Sequence, residues 1–332
     1  MAQTEISSPE KFMELVNAFR VSRIILTAHE LGIFDFLKNE PGTSTSVARL
    51  LGTDPRATDR LMNALVALGL LKKNKQHYTN TGFSDQYLVT GSPKFLGGLA
   101  HASHLWKTWN TLTQAVAAGT SVVVTETIND RSQEWRESFL AAMHSRARQQ
   151  AQEVAATLDL PVSGEILDVG GGSGIFSFAF INASPNLKSI VFDLPNVIPI
   201  TEKYIQKAGL ESAVSVLSGD YLKDEFGTGY AIVFMSAIIH INSPDENRKL
   251  IQKGAASLQS NGQLIILDHL MNDERTGPLA GALFALNMLV GTDHGDTFTE
   301  SEIRSWMVEA GLTSVHRKDT AGGTSLLIGI KP

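Results

Sequence analysis

"EILDVGGGSGIFSFAF", residues 165–180, decides the fold of this chain. An aliphatic run ends in an acid, three glycines follow at alternate positions, and an apolar segment with helical spacing comes next. That order reads as a buried strand, a tight turn and a helix. Further short aliphatic runs follow, separated by helical segments: "SIVFDLP", "VSVLSGD", "YAIVFM" and "GQLIILDHL". Strands of this kind, apolar on both faces and alternating with helices, predict a mostly parallel sheet covered on both sides. The C-terminal "SVHRKDTAGGTSLLIGIKP" has the form of a hairpin that adds antiparallel edge strands. Residues 164–332 therefore form an α/β domain with a Rossmann-like sheet.

The glycine spacing bears on the ligand. Asp168 precedes Gly170, Gly172 and Gly174, whereas the dinucleotide fingerprint G-x-G-x-x-G would need glycine at 175, where Ile175 stands. The D-x-G-x-G-x-G form is the one used by methyltransferases that take S-adenosyl-L-methionine (AdoMet). Asp193 ends the next strand about twenty residues on, where a carboxylate can accept from ribose hydroxyls. Asp220 ends the third strand and can accept from an adenine amino group, with Tyr221 against the ring. Ligands bind at the carboxyl ends of strands in open α/β sheets, so acids at three successive strand ends reinforce one another. Leu194 and Ser236 complete the candidate cofactor set.

Upstream, the apolar spacing of "EKFMELVNAFRVSRIILTAHELGIFDFLK" predicts helices broken at Gly32. "GTSTSVARLLGTDPRATDRLMNALVALGLL" reads as helix, turn, helix, with Thr45 or Ser46 capping the first and Asp54-Pro55 opening the second. "LLKKNKQHYTNT" then has the shape of a small β-wing, which makes residues 1–98 a winged-helix unit. Residues 99–163 read as linking helices, interrupted near 119–130.

The bulk composition narrows the function. In 332 residues, 43% are hydrophobic and 19% charged, with a net charge of -6 and no cysteine. That balance suits a globular protein with a large core. It offers no overall basic field for nucleic acid or anionic lipid. Disulfides, thiolate metal sites and cysteine nucleophiles are excluded. The start, "MAQTEISSPEKF", lacks a basic flank followed by an apolar core, and no apolar run approaches the roughly 20 residues that span a bilayer. A soluble, cytoplasmic protein is expected. The histidines show no helical H-x-x-x-H pair with an acid, and His101 and His104 lack a third ligand, so no metal site is expected.

At this point the chain resembles the small-molecule O-methyltransferases of the plant caffeate and animal acetylserotonin type and their bacterial relatives. "ILTAHELGIFDFL", "YTNTGFSDQYLVTGSP", "LDVGGGSG", "VFDLPNVI", "GDYL" and "LFALNMLVGT" are similar to that family's blocks, in order and over nearly the whole chain. "FDLPNVI" with an N-terminal winged helix is the more specific part. The resemblance implies a homodimer held by the N-terminal domain and metal-free methyl transfer to a hydroxyl of an aromatic or polyketide-like small molecule. It makes the winged helix a dimerisation scaffold. A DNA reader would want a basic face, but Arg49, Arg56 and Arg60 sit among Asp54 and Asp59.

In "FMSAIIHINSPDE", His240 falls where the family keeps its general base. Imidazole, with an ordinary pKa of about 6.5, can take a phenolic proton as the new bond forms. Its other ring nitrogen needs an acceptor, and Asp268, one strand away, occupies the position of the family's acidic partner. Three departures stand out. Ile241 follows the histidine where an aspartate is usual, Ser236 and Ala237 replace a frequent Lys, Arg or Trp, and Thr297, or a neighbour if the loop register slips, occupies the place of a second acid. A homologue that binds AdoMet but performs another reaction therefore stays open, as does, on the winged helix alone, a ligand-sensing DNA-binding regulator. The acceptor pocket implied by the resemblance draws on His104 and Trp109, on Met143 and His144, and on Phe284, Asn287 and Met288.

Overall fold

The computed structural model describes residues 6–123, 132–320 and 323–332. The first five residues, much of the interruption expected near 119–130, and two positions of the C-terminal hairpin lie outside the described residues. The chain divides into two units, Met1–Trp106 and Lys107–Pro332.

In the first unit, α1 (Pro9–Asn17) and α2 (Phe19–Glu30) meet at Ala18, a break beyond the one expected at Gly32. Gly32 takes a left-handed φ of 73° and starts α3 (Ile33–Phe36). Strand β1 (Gly42–Thr43) leads into α4 (Ser44–Leu51), followed by α5 (Pro55–Ala67). The cap of α4 is Thr43, not Thr45 or Ser46: its hydroxyl accepts from the Ser46 amide at 3.1 Å. Pairing of β1 with the hairpin holds Thr43 extended, so the helix starts at Ser44. Asp54 caps α5 with Pro55 in its first turn, as expected. Strands β2 (Leu71–Asn74) and β3 (His77–Asn80) form the hairpin, giving a three-stranded antiparallel sheet in the order β1-β3-β2. Tyr78, Phe34, Val47, Met62 and Leu65 fill its core. Helices α6 (Gly82–Tyr87) and α7 (Gly98–Trp109) follow. Phe12, Met13, Leu15, Val16, Phe19 and Val21 are exposed, although α1 and α2 are both amphipathic.

The second unit adds α8 (Leu112–Ala118) and α9 (Gln133–Thr157), then a seven-stranded sheet. Its parts are β4 (Gly164–Val169), α10 (Ile175–Ala183), β5 (Leu187–Asp193), α11 (Ile198–Ala208), β6 (Val214–Ser218) and β7 (Tyr230–Ser236). After a 3₁₀ turn (Ile239–Ile241) come α12 (Pro244–Ser257), β8 (Leu258–Asp268), α13 (Leu279–Gly291), α14 (Glu300–Glu309), β9 (Thr313–Asp319) and β10 (Ser325–Ile330). The strand order is β6-β5-β4-β7-β8-β10-β9, parallel through β8, with β10 antiparallel to both β8 and β9. Both faces are packed. Val169, Val233, Ile251 and Trp306 belong to one apolar cluster, and Ile166, Val191, Phe180 and Phe234 to the other. The order reverses between β4 and β7, which opens the crevice where such sheets bind ligands.

Candidate active site

Asp168 is the penultimate residue of β4, flanked in register by Val191 and Phe234, and is fully buried. Its Oδ2 accepts from Ser177 at 2.7 Å, while Oδ1 has no partner. Burial pushes its pKa up to about 6, against the Ser177 hydrogen bond. The loop that follows has φ values of 65°, 56° and 77° at Gly170, Gly172 and Gly174, so the alternating glycines are a backbone requirement. At Gly170 a Cβ would also stand 2.7 Å from the Ile238 side chain.

The loop is fastened from three directions. Asp193, at the end of β5, accepts from the Gly172 amide at 2.8 Å and from the Leu194 amide at 2.8 Å. Thr201 of α11 donates to the Gly172 carbonyl at 2.6 Å. His144 of α9 meets the Ser173 hydroxyl at 2.9 Å, and its ring stacks on Tyr204 with centroids 4.5 Å apart. Burial, with Arg148 and Lys207 nearby, pulls the His144 pKa down to about 4, so the ring is neutral at pH 7. Burial also pushes Asp193 up to about 6. The half-buried Asp193 carboxylate, the glycine cradle and the orphaned Asp168 oxygen fit a ligand with a hydroxylated sugar and a hydrogen-bond donor, as AdoMet has.

Asp220 lies two residues beyond β6 and is engaged locally. Its carboxylate takes the Leu222 amide at 3.0 Å and the Lys223 ammonium at 2.8 Å. Tyr221 donates to Asn242 at 3.1 Å, and burial pushes its pKa up to about 12. Ser236 ends β7, half-buried, ahead of Ala237, whose φ is 55°.

His240 sits in the 3₁₀ turn beyond β7, and Asp268 is the last residue of β8. They are 8% and 3% exposed, so both are buried. The His240 Nδ1 lies 2.9 Å from both Asp268 oxygens, and Asp268 Oδ1 also accepts from the His269 amide at 2.8 Å. A carboxylate only accepts, so Nδ1 carries a hydrogen in this contact. Phe284 of α13 meets the His240 ring edge-on, at 4.8 Å and 89°, and packs against His269 at 4.6 Å.

The loop after α13 closes on the back of the turn. The Asp296 amide donates to the His240 carbonyl at 3.1 Å, and a Cβ at Gly295 would stand 2.5 Å from that oxygen. Ile241 is exposed and Thr297 buried, its hydroxyl 3.4 Å from the Gly281 carbonyl. The Asp296 carboxylate turns to Arg275, which also binds Glu302 through paired contacts.

Trp109 and Asn287 come together, with the indole donating to the amide oxygen at 2.9 Å. Met288 is buried and Met143 half-buried. His104 lies in the first unit, and His144 is turned to the glycine loop. Sequence reasoning missed Ser173, Thr201, Tyr204, Asn247 and Arg275. Only long-range contacts single them out, and their residue types are common on helices and loops. Among the described residues no cluster of His, Asp or Glu could hold a metal ion, and no helix is long and apolar enough to cross a membrane.

Comparison with known proteins identifies the family. Residues 108–313 match the model of the O-methyltransferase domain, and residues 13–90 that of the O-methyltransferase dimerisation domain. The chain is 30% identical to 3-hydroxy-5-methyl-1-naphthoate 3-O-methyltransferase of Streptomyces sahachiroi, covering 97% of this chain and 95% of that one. It is also 30% identical to acetylserotonin O-methyltransferase of Bos taurus, over 93% and 94% of the two chains. The crystal structure of human N-acetylserotonin methyltransferase in complex with AdoMet superposes with a TM-score of 0.85 at 25% identity, covering 100% of this chain and 99% of that one. The chain belongs to the AdoMet-dependent O-methyltransferase family.

Proposed function

We propose that this protein transfers methyl from AdoMet to a hydroxyl of an aromatic or polyketide-like small molecule, with His240 as general base oriented by Asp268. The observation that carries the reading is the buried imidazole whose Nδ1 is engaged by both oxygens of a carboxylate ending the neighbouring strand. AdoMet supplies an electrophilic methyl group, so the new C–O bond forms as the C–S bond breaks. His240 Nε2 takes the hydroxyl proton, and Asp268 holds the tautomer and balances the charge on the ring. Such a base contributes roughly 10²–10⁴-fold. Asp168, Gly170, Gly172, Gly174, Asp193, Leu194, Asp220, Tyr221 and Ser236 are assigned to the cofactor side. Trp109, Asn287, Met288, Phe284 and Met143 are assigned to the acceptor, joined by His104 and His144. The relatives named for naphthoate and acetylserotonin support a hydroxylated ring as substrate class.

In this reading residues 1–98 form a winged-helix dimerisation domain, 99–163 carry pocket helices and 164–332 perform the chemistry in a cytoplasmic homodimer. The match to the dimerisation-domain model supports that division.

The test incubates the protein with AdoMet and either 3-hydroxy-5-methyl-1-naphthoate or N-acetylserotonin. S-adenosylhomocysteine should accumulate in step with a product heavier by about 14 Da, the mass of one transferred methyl in place of hydrogen. Conversion without that gain would favour the non-methylating alternative that Ile241 and Thr297 raise. His240→Ala should slow turnover by about two orders of magnitude or more while AdoMet affinity stays near wild type. Unchanged turnover would remove His240 as the base.

A further inference from the structure

With Ile241 and Thr297 where acids are usual, Asp268 is, among the described residues, the one carboxylate that hydrogen-bonds the His240 ring. The structure provides a different support. Asn247, fully buried in the first turns of α12, donates from Nδ2 to the Ile239 carbonyl at 2.8 Å. Its Oδ1 accepts from Asn242 Nδ2 at 3.2 Å, and Asn242, 4% exposed, accepts in turn from the Tyr221 hydroxyl at 3.1 Å. The result is an unbroken relay, Tyr221–Asn242–Asn247–Ile239 C=O, that ends one residue before the imidazole.

Each member uses its groups in one consistent sense. A phenol donates to an amide oxygen, an amide nitrogen to the next amide oxygen, and the last nitrogen to a main-chain carbonyl. A buried amide that lost these partners would be destabilising, so the chain is held in one arrangement. The Ser243 capping box fixes the start of α12, with the Glu246 carboxylate accepting from the Ser243 amide at 2.8 Å and the Glu246 amide returning to the Ser243 hydroxyl. Asn247 is thus mounted on a fixed helix start. From the opposite side, the Asp296 amide holds the His240 carbonyl. The turn is gripped at two successive carbonyls.

We propose that Asn247 is a positioning residue for His240: by fixing the Ile239 carbonyl it sets where the ring nitrogen points, in place of an acid beside the histidine. This rests on the assignment of His240 as the base. Positioning of this kind matters because a displacement of about 1 Å can cost roughly 10²-fold in rate.

The test combines Asn247→Leu, Asn247→Asp and His240→Ala. Asn247→Leu removes both hydrogen bonds at similar volume. Asn247→Asp still accepts from Asn242 but cannot donate to Ile239. Turnover is followed with AdoMet and 3-hydroxy-5-methyl-1-naphthoate or N-acetylserotonin, AdoMet affinity by calorimetry, and the His240 ring by NMR of histidine-labelled protein. Both Asn247 variants should lose about 10–100-fold in kcat while the AdoMet Kd stays within about threefold of wild type. Their His240 ring signals should shift from the single Nδ1–H tautomer. In the His240→Ala background, Asn247→Leu should cost nothing further, since residues acting through one group are not additive.

Wild-type ring signals in Asn247→Asp would overturn the proposal, and so would full additivity in the double variant. A loss of AdoMet affinity with kcat unchanged at saturation would overturn it too, by assigning the relay to the cofactor. The NMR arm needs no acceptor, and Asn247→Asp serves if the leucine variant fails to fold. A His240→Ala protein with normal turnover would instead sink the base assignment itself, which separates the two failures.

Discussion

Asp193 and Asp168 are carboxyl groups that the fold holds partly against their charged form. Each is raised from an ordinary carboxylate value to about 6 by burial. The sign follows directly. A folded-state pKa above the unfolded one means that the folded protein binds the extra proton, so both groups lower stability as pH rises from about 4 through about 6. Under the proposed reading ribose hydroxyls donate to an ionised Asp193, so protonation would oppose binding. AdoMet affinity should weaken as pH falls below about 6, by up to about tenfold per unit. Asp193→Asn should bind weakly at every pH and flatten this dependence, which calorimetry from pH 5 to 8 would show. A mutant profile as steep as wild type would reassign the titrating group. At this scale the sequence was informative wherever chemistry and strand position coincide: Asp168, Asp193, His240 and Asp268 all stand at or just past strand ends. Asn247 and Thr201 gave no such signal, because an amide or hydroxyl on an amphipathic helix resembles many solvated ones until its distant partner is known.

The elements around the site show which approaches the backbone needs. Gly295 lies where a Cβ would meet the His240 carbonyl at 2.5 Å, and the neighbouring Asp296 amide uses the same oxygen. Backbone cannot yield as a flexible side chain does, so Gly295→Ala should displace the 3₁₀ turn. The expected cost is about 1–3 kcal/mol in stability, as for other overpacked sites. Turnover should fall as well, with AdoMet binding retained. Thermal melts with and without AdoMet, beside steady-state rates, would check this; an active, equally stable variant would show the loop is free to move. The strands of the parallel sheet were legible from their aliphatic runs, and the cap at Asp54 from its proline. The cap at Thr43 was hidden by a two-residue strand, which fixes the chain before the helix through pairing with residues far along the sequence. The break at Ala18 carries neither glycine nor proline to mark it.

At the scale of the molecule, α1 and α2 leave Phe12, Met13, Leu15, Val16, Phe19 and Val21 exposed within the segment matched, from residue 13 on, by the dimerisation-domain model. Contiguous exposed apolar groups of this kind mark association surfaces. Leu15→Glu with Phe19→Glu should convert the dimer to monomer in sedimentation experiments while the melting of the α/β unit changes little. A dimer that survives both charges would move the interface elsewhere. The change of rhythm near Pro161 marked where the sheet begins, whereas the division between the two units falls at Trp106–Lys107, within α7, where no glycine or proline signals it. How the last residue of α7 meets α13 was not readable, because the link between Trp109 and Asn287 joins positions 178 residues apart.

The placement of that indole–amide link has a wider bearing. Trp109, Asn287 and Phe284 are carried by helices, whereas Asp168, Asp193 and Asp268 are embedded at strand ends of a sheet packed on both faces. Under the proposed reading, the groups that choose a guest can drift independently of those that perform the reaction. A lineage built this way can change its clientele by exchanging a few helical side chains, with the catalytic frame inherited intact.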